Sequence, residues 1–279
     1  MVLHRRGTLD IDPVADHNAK TPLLGRLRVS TPSDHSRPLA YRFVIAILRP
    51  LLVLLTKRDW AGAQNLPRGG YVAVTNHYSY LEPFVFGLFL VDHGHTPHYL
   101  GKIEVFKNPV IGAILRAAEQ IPVHRESGRA IDAYRSAVEA VRAGRCVAIY
   151  PEGTLTRDPD LWPMRGKTGA ARVAMETGCP VIPITTWGAA SILAPYGHRL
   201  HLFPRKTMVA RAGPPVDLED LQGVETTQEV LLEATARIMA ALTSQLEGIR
   251  GELAPATRFD PTEHGITSTG KPKPLKEAS

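Results

Sequence analysis

From residue 59 onward the chain alternates short, β-rich apolar runs with amphipathic segments of helical length, and few architectures accept that order. "YVAVT" (71–75), "HYLGK" (98–102), "QIPVHR" (120–125), "CVAIYP" (146–151) and "PVIPITTW" (180–187) read as strands. Further strands are expected at 199–203 and 207–212. Between them lie "PFVFGLFLVDH" (83–93), "PVIGAILRAAE" (109–119), "GRAIDAYRSAVEAVRAG" (128–144), "GKTGAARVAMETG" (166–178) and "TTQEVLLEATARIMAALTSQLEGIR" (226–250). In the third of these, Ile131, Tyr134, Ala137, Val138 and Val141 share one helical face. Gly144 and Gly178 are candidate C-caps and Thr227 a candidate N-cap. Such alternation builds βαβ units around a sheet covered by helices. The expectation is one α/β domain over residues 59–252, a mixed central sheet flanked by helices, with no internal repeat.

The ends read differently. Residues 1–38 are polar, punctuated by proline and without periodicity, as expected of a disordered basic tail. Residues 253–279, rich in Pro, Thr and Lys, are expected to be a second unstructured tail. Residues 1–58 hold ten Lys and Arg against four Asp, whereas residues 59–279 hold 23 against 23, so the excess charge is N-terminal. Beside it lies "FVIAILRPLLVLL" (43–55), too short to span ~30 Å of hydrocarbon and interrupted by Arg49-Pro50. Pro50 is expected to end or kink a helix there. Residues 39–58 are read as an interfacial helix on an anionic membrane surface, with Arg42, Arg49, Lys57 and Arg58 snorkelling to headgroups. The helix at 83–93 is the second candidate anchor. That reading makes the chain a peripheral (monotopic) protein of the cytoplasmic face. A packed helix is the plainer alternative for 39–58. Nucleic acid is not an expected partner, since no aromatic–basic interleaving accompanies the charge. Cys146 and Cys179 lie in apolar runs and read as buried free thiols rather than a disulfide framework.

Chemistry concentrates in four places. "TNHYSYLEP" (75–83) follows a strand and sets His77 five residues before Glu82. In a regular helix two such residues stand ~140° apart. Pro83, however, suits a first helical position, which leaves His77 on the strand-to-helix loop. Folded back, that loop lets Glu82 accept from His77 Nδ1 and leaves Nε2 to take a proton, the base-and-orienter half of a triad. "YPEGTLTRDPDLWPMRGKTGAA" (150–171) ends a strand in Glu152-Gly153-Thr154, where a glycine turn can cradle an anion, and continues to Arg157, Arg165 and Lys167. Arg125 emerges at the end of "QIPVHR". Pro183 stands inside "PVIPI". A loop histidine, a surface acid and solvated arginines are the plainer readings of each feature alone.

In this order and spacing, Asn76-His77-x4-Glu82, "IPVHR", "YPEGT" and "VIPI" resemble the four sequence blocks of the 1-acylglycerol-3-phosphate acyltransferase family. "GKIEVFKNPVIG" (101–112) resembles its lysine-containing segment, and the likeness runs from about Trp60 to "RAGPPVDL" (211–218). The resemblance implies His77 as general base, Glu82 as its orienter, and attack of an acceptor hydroxyl on an acyl thioester without a covalent acyl-enzyme. It implies Arg125 as an acceptor-phosphate ligand. Asn76, Glu152, Gly153 and Thr154 would help hold the acceptor, and Pro183 would lie on the acyl-donor side. Two departures stand out: the acid is Glu82 where the family has aspartate, and Leu155 stands where an arginine usually follows the threonine. Lys102, Arg157 and Arg165 are therefore further phosphate candidates.

The implied activity is transfer of a fatty acyl chain from acyl-CoA, or acyl-carrier protein, to a lysophospholipid, 1-acylglycerol 3-phosphate foremost, giving phosphatidate. Glycerol 3-phosphate or another lysolipid as acceptor, and a non-catalytic lipid-binding relative, are the alternatives. A serine hydrolase is disfavoured because no Gly-x-Ser-x-Gly elbow occurs. No cofactor beyond the co-substrate is expected. No metal is expected either, because His93, His95, His98, His124, His198 and His201 lack ligand spacing.

Overall fold

The computed structural model of the chain describes residues 38–123 and 130–267. Residues 1–37 of the expected N-terminal tail, residues 268–279 of the C-terminal tail, and Arg125 lie outside the described residues, as does the side chain of Lys102.

Seven strands form one sheet: β1 (Thr56–Ala61), β2 (Tyr71–Val74), β3 (Pro97–Lys102), β4 (Ile121–Val123), β5 (Cys146–Ile149), β6 (Val181–Trp187) and β7 (Lys206–Ala212). Their order is β1-β7-β6-β2-β5-β3-β4. Every neighbouring pair is parallel except β6–β7, so the sheet is mixed as expected. The central strands are apolar on both faces because helices cover both. Val72, Val74, Val147, Ile149 and Val181 face α5 (Ala130–Arg142), α6 (Gly169–Thr177) and α7 (Gln228–Arg250). Their neighbours Tyr71, Ala73, Cys146, Ala148, Ile182 and Ile184 face α2 (Glu82–Asp92), which contributes Phe86, Phe89 and Leu90. This two-residue alternation, packed on both sides, supplies the rigid frame for the loops at the strands' carboxyl ends.

The helix ends follow the expected chemistry. Thr227 caps α7 by accepting the Val230 N–H at 3.4 Å, and Gly178 closes α6 in the left-handed region at φ 64°. Two short helices, α3 (Ile103–Phe106) and α4 (Pro109–Ala117), carry the chain from β3 to β4; Asn108 caps the second. Ile131, expected on the inner face of α5, is exposed, while Ala133, Ala137, Val138 and Val141 are buried.

Several expectations are corrected. Residues 199–203 are not a strand but a loop. The strand missed was β1, whose "TKRDWA" reads as a charged turn; it is tolerated because it is an edge strand paired only with β7, with Lys57, Arg58 and Asp59 exposed. Helix α1 (Leu39–Leu55) continues through Pro50 to Leu55 rather than ending there. Arg49 and Arg58, both exposed, pair with Asp92 at 2.8 Å, where the Trp60 indole N–H also donates at 3.1 Å. These bonds tie α1 and β1 to the end of α2. Helix 83–93 is no surface anchor, since Val85, Phe86, Leu88, Phe89 and Leu90 are buried in the core. Residues 253–267, expected to be unstructured, fold back on the loop after β5. The Arg165 N–H donates to Phe259 O at 3.3 Å, and the Arg165 side chain pairs with Asp260 at 3.2 Å.

Candidate active site

Parallel strands bring their carboxyl ends to one edge, where ligands of open α/β sheets bind. At this edge β2 runs into His77, its neighbour β5 runs into 150–157, and β3 beyond it ends at Lys102. The next strand, β4, ends at Val123, two residues before Arg125. With strands ~4.8 Å apart, the ends of β2 and β4 stand roughly 14 Å from each other.

His77 lies on the loop between β2 and α2, as the sequence predicts, but Glu82 is the first residue of α2 rather than lying outside it. The loop folds back so that His77 Nδ1 and Glu82 Oε2 are 3.3 Å apart. The Glu82 side chain is wholly buried, while that of His77 is 18% exposed. The carboxylate thus holds the ring from the buried side and leaves the ring partly exposed. Thr75 and Thr186 donate their hydroxyls to Glu82 Oε1 at 3.4 and 3.3 Å. Burial pushes the Glu82 carboxyl above its ordinary range, and the hydrogen bond and charge of His77 pull it part of the way back. The extra methylene relative to aspartate does not prevent the pairing.

The backbone of His77 is held as firmly as its ring. Its N–H donates to Glu152 Oε1 at 3.0 Å, and its C=O accepts the Thr156 N–H at 2.6 Å. The other Glu152 oxygen accepts the Met164 N–H at 3.0 Å. Glu152 is therefore buried and turned inward, and burial raises its pKa to about 8. This corrects the expectation that Glu152 faces the acceptor: its carboxyl fastens the loop after β5 to the His77 loop. Gly153 adopts φ +71°, but its N–H donates to Tyr150 O at 3.0 Å and is not offered to an anion. A Cβ there would come within 2.9 Å of Lys167 Nζ, so the glycine makes room for that cation. Thr154 is buried beside it, and so is Arg157 two residues beyond Leu155.

Asn76 is corrected in the same sense. Its Oδ1 accepts the Thr186 N–H at 2.9 Å and its Nδ2 donates to Thr186 O at 3.0 Å. Both halves of the amide are spent on β6, so the side chain staples the His77 loop to the sheet rather than reaching a ligand. Pro183 is buried in β6, opposite Val74 of β2, where its carbonyl accepts from the Gly213 N–H and the Gln245 side chain. It stands one residue before the β7 ladder begins at Ile184, so its missing N–H costs no β7 bond. Its place is the core of the sheet. Arg165 is exposed and engaged with Asp260.

Residues that sequence reasoning missed complete the site. Tyr150 packs on the His77 ring with centroids 4.2 Å apart and planes at 39°. Tyr78 stacks on Trp187 at 5.3 Å. The Arg250 guanidinium lies 4.0 Å from the Trp162 ring and 4.8 Å from that of Trp187, joining α7 to the loop after β5. Neither of two cavities of about 380 and 330 Å3, one lined by β4 and α5 residues and one beside α7, includes His77.

A sheet edge carrying a buried carboxylate, a histidine and a glycine turn defines a class capable of general-base chemistry. The family model described as Acyltransferase matches residues 57–187, the segment containing all of these features. The chain is 34% identical over 140 residues to the chloroplastic 1-acyl-sn-glycerol-3-phosphate acyltransferase BAT2 of Brassica napus, covering 49% of this chain and 39% of that one. It is 32% identical to the Arabidopsis thaliana chloroplastic protein LPAT1, of which the match covers 36%. The chain thus spans less than two fifths of these two relatives. Against the 1-acyl-sn-glycerol-3-phosphate acyltransferase of Bacillus subtilis (strain 168) it is 24% identical over 76% of this chain and 98% of the other. Its fold is that of the crystallised 1-acyl-sn-glycerophosphate acyltransferase PlsC from Thermotoga maritima, with TM-score 0.59 and 21% identity over 77% and 81% of the two chains. Residues 57–187 thus resemble the Acyltransferase family, and the relatives the chain matches carry the name 1-acyl-sn-glycerol-3-phosphate acyltransferase.

Proposed function

We propose that the protein transfers an acyl chain from a thioester, acyl-CoA or acyl-carrier protein, to the free hydroxyl of a lysophospholipid, with 1-acylglycerol 3-phosphate the foremost acceptor. The observation that carries the proposal is the His77–Glu82 pair at the carboxyl edge of the sheet. With Nδ1 donating to Glu82, Nε2 is an acceptor. It removes the proton from the acceptor hydroxyl as that oxygen attacks the thioester carbonyl carbon. The tetrahedral oxyanion then collapses, the C–S bond breaks, and the proton on Nε2 passes to the leaving thiolate. Glu82 stabilises the intervening imidazolium, as a triad carboxylate does. Arg125 and Lys102 are the proposed phosphate ligands, with Arg157 a third; a guanidinium fork suits phosphate oxygens.

The proposed place of action is a membrane surface. What supports it is a stripe along α1: Leu39, Phe43, Ile47, Leu51 and Leu54 are 49 to 79% exposed and recur every three or four residues. No described helix is long and apolar enough to cross a membrane. The test is to give the purified protein radiolabelled acyl-CoA and acyl-carrier protein in turn with a panel of lysolipids and glycerol 3-phosphate. Labelled phosphatidate is the expected product. Absence of transfer to every acceptor from either donor would overturn the proposal.

A further inference from the structure

The triad description leaves out the aromatic ring lying on the base. Tyr150 is the first residue after β5, the strand beside β2, so the pairing of these strands brings its ring to His77. A centroid separation of 4.2 Å is shorter than the ~5 Å typical of edge-on pairs and requires overlapping ring faces. The ring is fixed from behind. Phe86 of α2 packs on it at 6.4 Å and Tyr99 of β3 stacks on it at 6.5 Å, while the Tyr99 hydroxyl is itself anchored to Pro83 O at 2.7 Å. The Tyr150 hydroxyl is buried beside the Glu82 carboxyl, and burial together with that carboxyl pushes the phenol pKa up. The ring itself makes the contact with His77.

We propose that Tyr150 is a positioning residue for the acyl transfer, acting through His77. Its ring face clamps the imidazole against Glu82 and stabilises the imidazolium formed when His77 takes the acceptor's proton. This rests on the reading of His77 as the base. A cation over an aromatic face is stabilised by the ring quadrupole, more so where water is partly excluded, and the proton of the transition state puts that charge on His77. Tyr150 therefore favours the charged transition state over the neutral ground state, which raises turnover rather than tightening substrate binding. The ionisable groups around the pair are Glu82 on α2, Tyr99 on β3, Tyr78 in the His77 loop, and Glu152, Arg157 and Asp158 after β5, with Lys167 over Gly153. None of these is removed by changing Tyr150.

The experiment compares Tyr150→Phe, which keeps the ring, with Tyr150→Leu, which removes it, and with His77→Gln as reference. Ring contact is read by the NMR shift of the His77 ring protons, assigned against His77→Gln because the chain has 11 histidines. Tyr150→Phe should keep the ring-current shift and remain within about 2-fold of wild-type turnover, because it keeps the ring on His77 and leaves Glu82 the hydroxyls of Thr75 and Thr186. Tyr150→Leu should lose the ring-current shift. Its kcat should fall about 5- to 30-fold with little change in KM, and the acid limb of its pH–rate profile should move down by about half to one unit. If Tyr150→Leu misfolds by circular dichroism, Tyr150→Met makes the same comparison with a more adaptable apolar side chain. An unmoved acid limb with unchanged kcat would overturn the proposal, and so would a Phe variant as impaired as the Leu variant. Wild-type turnover in His77→Gln would instead overturn the base reading, while the ring-current result would still report the packing.

Discussion

Replacing Asn76 by alanine separates a structural staple from a substrate ligand. In the folded chain the Asn76 amide satisfies both the N–H and the C=O of Thr186, a residue with no solvent exposure. Alanine leaves both backbone groups buried without those partners. Each costs about 1–3 kcal/mol, so the expected loss is about 2–6 kcal/mol. At roughly 2–4 °C per kcal/mol for a domain of this size, Tm should fall by about 10 °C, read by thermal denaturation in circular dichroism. Because Thr186 also donates to Glu82, kcat should fall as well, while KM for the lysophospholipid stays near wild type. An Asn76→Ala protein with unchanged Tm and a raised KM for the lysophospholipid would refute the staple and make Asn76 a ligand.

Four further outcomes follow from the same geometry. Glu82→Gln should lower kcat by about 10²-fold without large loss of stability, since it keeps an acceptor for His77 but removes the charge that favours the imidazolium. Glu152, raised to about 8 from a carboxyl's ordinary 4.5, binds its proton more tightly folded than unfolded. Its contribution to stability is therefore fully present below pH 4.5 and lost as pH rises through about 8, so the Tm advantage of the wild type over Glu152→Gln should shrink from pH 5 to pH 8. Arg125→Ala should raise KM for lysophosphatidate far more than KM for acyl-CoA, and equal effects on both would remove it from the phosphate site. Replacing Phe43, Ile47 and Leu54 by serine should weaken sedimentation with anionic vesicles at high salt, where exposed charges are screened and apolar insertion remains, with little change in Tm because these side chains are already exposed.

The sequence made the strands around the site legible because both faces of β2, β5 and β6 are buried, and doubly buried strands read as continuous apolar runs. His77 and Glu82 were legible for a different reason: a histidine just after such a run and an acid just before Pro83 fit only a strand–loop–helix turn. Edge strand β1 was not legible, because pairing with one neighbour places no apolar demand on Lys57, Arg58 and Asp59. The inward roles of Asn76 and Glu152 were hidden as well. A polar side chain that bonds a distant backbone looks the same in sequence as one that bonds a ligand, and their partners Thr186 and Met164 lie 110 and 12 residues away. Tyr150 was quoted within "YPEGT" but carried no periodic signal, since its contact with His77 arises from the pairing of β5 with β2.

The central claim is that His77, oriented by Glu82, is the general base for acyl transfer. Single-turnover transfer of a radiolabelled acyl group to 1-acylglycerol 3-phosphate by His77→Ala tests it most directly, with folding verified by circular dichroism. The rate should fall by roughly 10²–10⁴-fold, the usual contribution of a positioned base. A folded His77→Ala protein that transfers the acyl group at the wild-type rate would contradict the account.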